Sequence, residues 1–256
     1  MAQHSVADQR FAGPLTRFER EEARQIQYSL LPGGSLQAPA FEIAYRFSPF
    51  AGVGGDFADF FELPDGNAGI YVGDVVGKGL PAALYAALVM GLLRGLHKTG
   101  ASTADSLAVL NKRMLVRPVT GRFAATLYAL YDPASRKLTF SNAGMPQPLL
   151  VCESGCRLLG EGGLPSGIFP DATYGSHTVE LFPGDAVLFA TDGLHELRDR
   201  HDKDFSWERL QDTWLQCRSK TAEDSLAIVF EEARQFSHDG SEQQDDITAV
   251  VLKVRG

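Results

Sequence analysis

In Gly69-Ile-Tyr-Val-Gly-Asp-Val-Val-Gly-Lys-Gly-Leu-Pro-Ala-Ala-Leu84 a β-rich run ends in a glycine-studded turn and gives way to a helix. Gly69 to Val76 reads as a strand, because β-branched and aromatic residues suit a pleated, half-buried surface. Pro81 fits the first turn of a helix, where its missing N–H has no intrahelical partner to lose. That helix runs to about Lys98, is apolar on most faces, and is expected to be buried. A second helix, Thr103 to Val116, follows, with Thr103 or Asp105 as its cap. Downstream, Phe123 to Tyr131 and Lys137 to Ser141 read as a hairpin across Asp132-Pro-Ala-Ser135. Pro148 to Cys152, Thr178 to Leu181, Ala186 to Ala190 and Ile247 to Val254 are further strands. Helices are expected around Trp207 to Cys217 and Ala222 to Phe236. Upstream lie a strand, Phe41 to Phe47, and a helix, Leu15 to Leu31, with Leu15, Phe18, Ile26 and Leu30 at helical spacing. A charged stretch, Arg17 to Arg24, lies between them, and Pro32-Gly33-Gly34 ends the helix. Strands that come in hairpin-joined runs, without βαβ alternation, predict an α+β fold of antiparallel sheets covered by helices.

Composition sets the frame. The 256 residues are 44% hydrophobic and 22% charged, which suits one large domain or two small ones and excludes a disordered chain. Lys and Arg number 24 against 32 Asp and Glu, a formal charge of -8. That balance argues against nucleic acid or an anionic membrane as bulk partner. The longest apolar run, Pro81 to Leu93, is broken by Gly91 and followed by Arg94, short of the roughly 20 residues a membrane span needs. Met1 to Phe18 has no apolar core, so no signal peptide is expected. Three cysteines, Cys152, Cys156 and Cys217, form no framework and point to a reducing, cytoplasmic setting. Cys152 and Cys156 lack the second pair that a zinc site needs.

The chemistry is expected where aspartates sit at strand ends. Asp56 follows Gly52-Val-Gly-Gly55, Asp74 ends one strand, Asp192 follows another, and Asp245 and Asp246 precede the last. A lone Asp after a strand is most simply a turn residue or helix cap. Recurrence of the same arrangement weakens that reading, and several carboxylates brought together call for hard divalent cations. Other chemistries fail on spacing. In Gly73 to Gly79 a phosphate-binding loop would need glycine at Val72 and a hydroxyl at Gly79. Ser166 is not in a nucleophile elbow, and Gly52 to Phe57 does not open a helix as a dinucleotide fingerprint should. His195 is either an acid–base group or a solvated surface residue.

These residues resemble the bacterial stage II sporulation E/RsbU-type branch of the PP2C-like, metal-dependent serine/threonine phosphatases. The matching stretches are Ala23 to Pro32, Val53 to Phe57, Gly73 to Leu84, Phe123 to Thr126, Ser141 to Gly144, Gly163 to Ile168, Gly184 to Leu194 and Asp245 to Thr248. Each is weak alone; in family order over Ala23 to Val254 they are specific. The resemblance implies a four-layer α-β-β-α sandwich with two Mn2+ or Mg2+ ions at one edge. By position, Asp56 would contact or bridge both metals and Asp74 would bind one, helped by the Val75 carbonyl. Asp192 and Asp245 would complete the site, with Asp246 as an alternate ligand or a supporting group. Asp59 recurs in the first motif with a less defined role. The chain departs from the family at Met145, where a histidine is usual, at Ala58 for an aromatic, and at Val76 for a small hydroxyl residue. If that histidine assists the reaction in relatives, its role is absent here or moved to His195.

The resemblance implies hydrolysis of phosphoserine or phosphothreonine on a regulatory protein, such as an anti-sigma-factor antagonist. The alternative is a PP2C-fold module that sequesters such a partner without turnover. A metal-stabilised structural domain is the remaining option. Residues 1–34 are expected to form a helical linker or regulatory segment and residues 35–256 the phosphatase domain. The first helix either packs as an ordinary helix or couples the metal site to an upstream sensor or receiver domain, as in a response regulator of a two-component system, or to a homodimer.

Overall fold

Every side chain of the strand Ile247–Val254 is buried, yet successive residues meet different neighbours. Val250, Leu252 and Val254 join Ile43, Ile70, Val72, Leu127 and Val187 in one apolar cluster. Ala249 and Val251 join Leu188, Trp214 and Val229 in another. A strand alternates faces residue by residue, so one that is apolar on both must be covered on both.

The computed structural model describes residues 16–237 and 243–256; Leu15 and most of the Met1 to Phe18 stretch lie outside them. In chain order the elements are α1 (Arg17–Leu30), β1 (Leu36–Gln37), β2 (Phe41–Ser48), β3 (Phe57–Glu62), β4 (Ala68–Val75), α2 (Gly79–Leu96), α3 (Thr103–Val116), β5 (Ala124–Asp132) and β6 (Lys137–Ala143). They continue with β7 (Leu149–Cys152), β8 (Gly155–Leu158), β9 (His177–Glu180), β10 (Ala186–Ala190), α4 (Asp192–His195), α5 (Trp207–Leu215), α6 (Ala222–Ser237) and β11 (Ile247–Val254). One sheet has the order β1-β2-β11-β10-β7-β8 and the other β3-β4-β5-β6-β9, and all pairings are antiparallel. The central cluster lies between the sheets. The outer face of the first sheet packs on α5 and α6. The outer face of the second packs on α2 and α3, through Tyr71, Tyr128, Val89, Leu93 and Leu107. Three clusters between four layers make the α-β-β-α sandwich that the sequence led us to expect.

Local chemistry explains the element ends. Thr16 and Glu19 form a reciprocal capping box at α1, each side chain accepting from the other's backbone N–H. The α3 cap is Ser102, one residue before the expected Thr103, and its hydroxyl accepts from Asp105 N at 3.1 Å. In the β5–β6 hairpin the Asp132 carboxylate accepts from Ala134 N at 2.8 Å and the Ser135 hydroxyl at 2.6 Å. Strands β1, β3 and β8 were not expected from the sequence.

Helix α2 with its terminal 3-10 turn, Gly79–Thr99, is long and apolar enough to cross a membrane by length and composition, contrary to the sequence expectation. Here Ala82, Ala86, Val89 and Leu93 face the second sheet. The helix is not buried all round, however: Leu84 is 66% and Leu88 50% exposed, because nothing among the described residues covers its outer side.

Candidate metal centre

Antiparallel pairing puts the aspartates at one end of each sheet. Phe57 pairs with Gly73, so Asp56 before β3 lies beside Asp74 near the end of β4. Ala190 pairs with Ala249, so Asp192 after β10 lies beside Asp245 and Asp246 before β11. The two ends then meet across the sandwich. The Thr191 hydroxyl donates to Asp56 Oδ2 at 2.8 Å, joining one sheet's edge to the other's. Gly55 N and Phe50 N each donate to Asp246, at 2.7 Å to Oδ2 and Oδ1. Both Asp246 oxygens are therefore spent on the loop that carries Asp56. The approach is too close for side chains: a Cβ on Gly54 would stand 2.2 Å from Asp246 Oδ2, and one on Gly193 2.0 Å from the Asp246 carbonyl.

The carboxylates feel one another. Burial pushes Asp56 well above the usual carboxylate range, and the charges of Asp74 and Asp246 push it further. Asp74 is pushed up to about 7, first by burial and then by Asp192, Asp245 and Asp246. Burial also raises Asp246, against the amides of Phe50, Gly55 and Asp56 that favour its charged form. Without countercharge, protons take up part of the excess. The donor set is all oxygen and anionic, which fits a hard divalent cation such as Mg2+ or Mn2+. Among the described residues no three His, Cys, Asp or Glu side chains close into a finished cation cage.

A cation of the chain's own stands at the edge of the group. Lys78 Nζ lies 3.0 Å from Asp245 Oδ2, donates to the Gln244 carbonyl, and stands 5.3 Å over the Phe50 ring. Val75 N donates to the Gly55 carbonyl at 3.2 Å, and the Val75 carbonyl oxygen would lie 2.4 Å from a Cβ on Gly55. Asp59 does not join the group: Arg94 Nε holds it at 2.7 Å, tying β3 to α2, and Arg94 also donates to the Leu30 carbonyl. His195 is not a solvated surface residue; its ring stacks on Trp207 at 4.3 Å and burial lowers its pKa. Met145 lies in the central cluster, its backbone held both ways by the Asn142 side chain at 2.8 Å. Ala58 also faces that cluster.

Two contributors were not singled out from the sequence. Gln27 in α1 donates to the Gly54 carbonyl at 2.7 Å and accepts from Gly54 N at 3.1 Å, clamping α1 to the Asp56 loop. Thr191 reads as an ordinary linker, though a hydroxyl between an apolar strand and Asp192 was a usable signal.

The family model described as Stage II sporulation protein E (SpoIIE) matches residues 64–255, a span that includes Asp74, Asp192 and Asp245 and begins after Asp56. Protein IcfG of Synechocystis sp. is 27% identical, across 93% of this chain and 42% of that protein. Phosphoserine phosphatase RsbU of Bacillus subtilis is 28% identical, across 70% of this chain and 54% of that protein. The chain thus spans about half the length of the curated relatives it matches. In three dimensions it is similar to the SiaA-PP2C domain of Pseudomonas aeruginosa, with a TM-score of 0.80 at 19% identity, over 92% of this chain and 95% of that one.

Proposed function

Because the chain belongs to the stage II sporulation protein E (SpoIIE) family of PP2C-type phosphatases, we propose that it hydrolyses phosphoserine or phosphothreonine on a regulatory protein, using two divalent ions. The observation that carries this reading is the convergence of Asp56, Asp74, Asp192 and Asp245 where the two sheet ends meet, where burial and neighbouring carboxylates raise the cost of charging Asp56 and Asp74. These four, with the Val75 carbonyl, would hold Mn2+ or Mg2+; Asp246 supports them by holding the Gly55 and Phe50 amides. When bound, such ions supply Lewis acidity to the phosphoryl oxygens and to a water.

The chain's own residues do the rest. Thr191 fixes one Asp56 oxygen, leaving the other to point elsewhere. Burial of Asp56 excludes water from the floor of the site and strengthens every charge interaction there. Lys78, 3.0 Å from Asp245 Oδ2 at the rim, would offer its ammonium to the substrate's anionic group. Removing one phosphate alters the partner's charge by about two units, enough to change what it binds. An anti-sigma-factor antagonist is the kind of substrate this reading expects. A cytoplasmic setting, control by an upstream sensor or receiver domain, and a homodimer belong to the same reading. So does the division into a regulatory segment, 1–34, and a phosphatase domain, 35–256; the Gln27 clamp supports a link between the two.

The test is hydrolysis of a small aryl phosphate with Mn2+ or Mg2+ against excess chelator, in wild type and Asp192→Asn. Metal-dependent turnover that falls more than about 100-fold in the variant is expected, beyond what loss of a merely supporting group costs. The second reading, a module that captures its partner without turnover, is favoured by one observation: Lys78 sits on Asp245. Metal binding without turnover would select it.

A further inference from the structure

A groove of about 490 Å3 runs beside the metal centre, between α1, the loop 51–53 and the start of α2. Its α1 wall follows from helical spacing. Arg17, Arg20, Glu21 and Arg24 stand at i, i+3, i+4 and i+7, on one face, and all four line the groove. Val53 and Leu80 make its apolar floor. Glu21 faces Arg24 at 3.6 Å, and the Arg24 guanidinium also lies 5.2 Å over the Tyr28 ring. Arg17 and Arg20 form no ion pair among the described residues.

The groove's walls are continuous in sequence with segments that touch the carboxylates. Leu80 is two residues from Lys78, which touches Asp245, and Val53 adjoins Gly54 and Gly55, which pack on Asp246. A peptide lying in it would be led to the centre. The charge logic is specific. The whole chain is at -8, so an acidic segment meets net repulsion on approach. The lining reverses the sign locally, three guanidiniums against one carboxylate over an apolar floor, and those of Arg17 and Arg20 form no ion pair among the described residues. A guanidinium is a fork that matches a carboxylate with two parallel hydrogen bonds.

We infer that the groove docks an acidic segment next to the phosphorylated residue of the partner protein. Recognition is then carried by α1 and chemistry by the sheet ends. Only the partner's identity as a substrate rests on the phosphatase reading; docking is measurable without turnover.

The experiment uses the full chain and two short labelled phosphoserine peptides, one flanked by Asp and Glu, the other by Asn and Gln. Binding is read by fluorescence anisotropy in chelator, so that no peptide is consumed. The acidic peptide should bind about tenfold more tightly, equivalent to ~1.4 kcal/mol, and added salt should shrink the difference. The double variant Arg17→Glu, Arg20→Glu should lose the preference; Arg17→Ala, Arg20→Ala should reduce it, and serves if the reversal fails to fold. Arg157→Glu, on the distant strand β8, should keep it. Equal binding of both peptides by wild type, or a preference that survives in the folded double variants, overturns the proposal. Turnover of an aryl phosphate is recorded in parallel. Lost turnover with intact preference defeats the phosphatase reading alone, and intact turnover without preference defeats docking alone.

Discussion

Asp74 makes a prediction that belongs to one residue. Its carboxyl titrates near 3.9 in an unfolded chain and is pushed up to about 7 in the metal-free fold. Between those values the native state holds a proton that the unfolded state releases, so stability falls as pH rises. In chelator, the melting temperature should therefore drop between about pH 4 and about pH 7 on this residue's account. Asp74→Asn should flatten that slope and raise the melting temperature at pH 8, while removing the stabilisation that Mn2+ gives the wild type. A variant that melts below wild type in chelator at pH 8 would contradict this account. The aspartates were legible as a set because each follows or precedes an apolar strand. Their surroundings were not. That Asp59 is held by Arg94, and that Met145 lies between the sheets, depends on contacts across elements that no local pattern encodes.

At the level of elements, the clamp between α1 and the Asp56 loop is the feature to break. Gln27→Ala removes two hydrogen bonds and leaves Gly54's buried amide and carbonyl unpaired. The cost should be about 1–3 kcal/mol, read by urea unfolding. If α1 bears on the metal centre, turnover of a small ester should fall as well, by more than the loss of folded protein explains. Equal specific activity in the two proteins would show that α1 is packing alone. The sequence shows why α1 was easy to find and β3 was not. Thr16 to Leu31 has a cap and a Pro-Gly stop, but the stripe expected to pack does not: Phe18 and Ile26 are exposed and Gln27 is the buried residue of α1. Phe57-Ala-Asp-Phe-Phe-Glu62 places an acidic residue on its helix-facing side, which breaks the alternation unless Arg94 is known to lie opposite. The outer side of α2 misled for the opposite reason. Leu84 and Leu88 read as core, and composition cannot say which side of a helix its sheet will take.

For the whole molecule, the sandwich should unfold as one unit, since both sheets share the central cluster. Leu252→Ala, at the centre of that cluster, should cost about 2–5 kcal/mol, a large part of the roughly 5–15 kcal/mol typical of a domain. A single urea transition, shifted to lower denaturant, is the expected result; two separate transitions would mean that the sheets melt independently. The fold class was legible in the order of strands and helices, because hairpin-joined runs leave few arrangements open. The β5–β6 hairpin was legible too, but the partnering within the first sheet was not, since β11 pairs with β2 and β10 from far along the chain.

That late pairing sets a schedule for the nascent chain. Strand β11 lies between β2 and β10, and Asp245 and Asp246 lead directly into it. Until the ribosome has released that stretch, one sheet exists only as two unjoined pieces with open edges, and the centre lacks the carboxylates that close it. A chain that has emerged only as far as β10 thus cannot yet assemble the proposed centre. Any delay before β11 leaves sticky strand edges exposed to neighbouring chains on the same message.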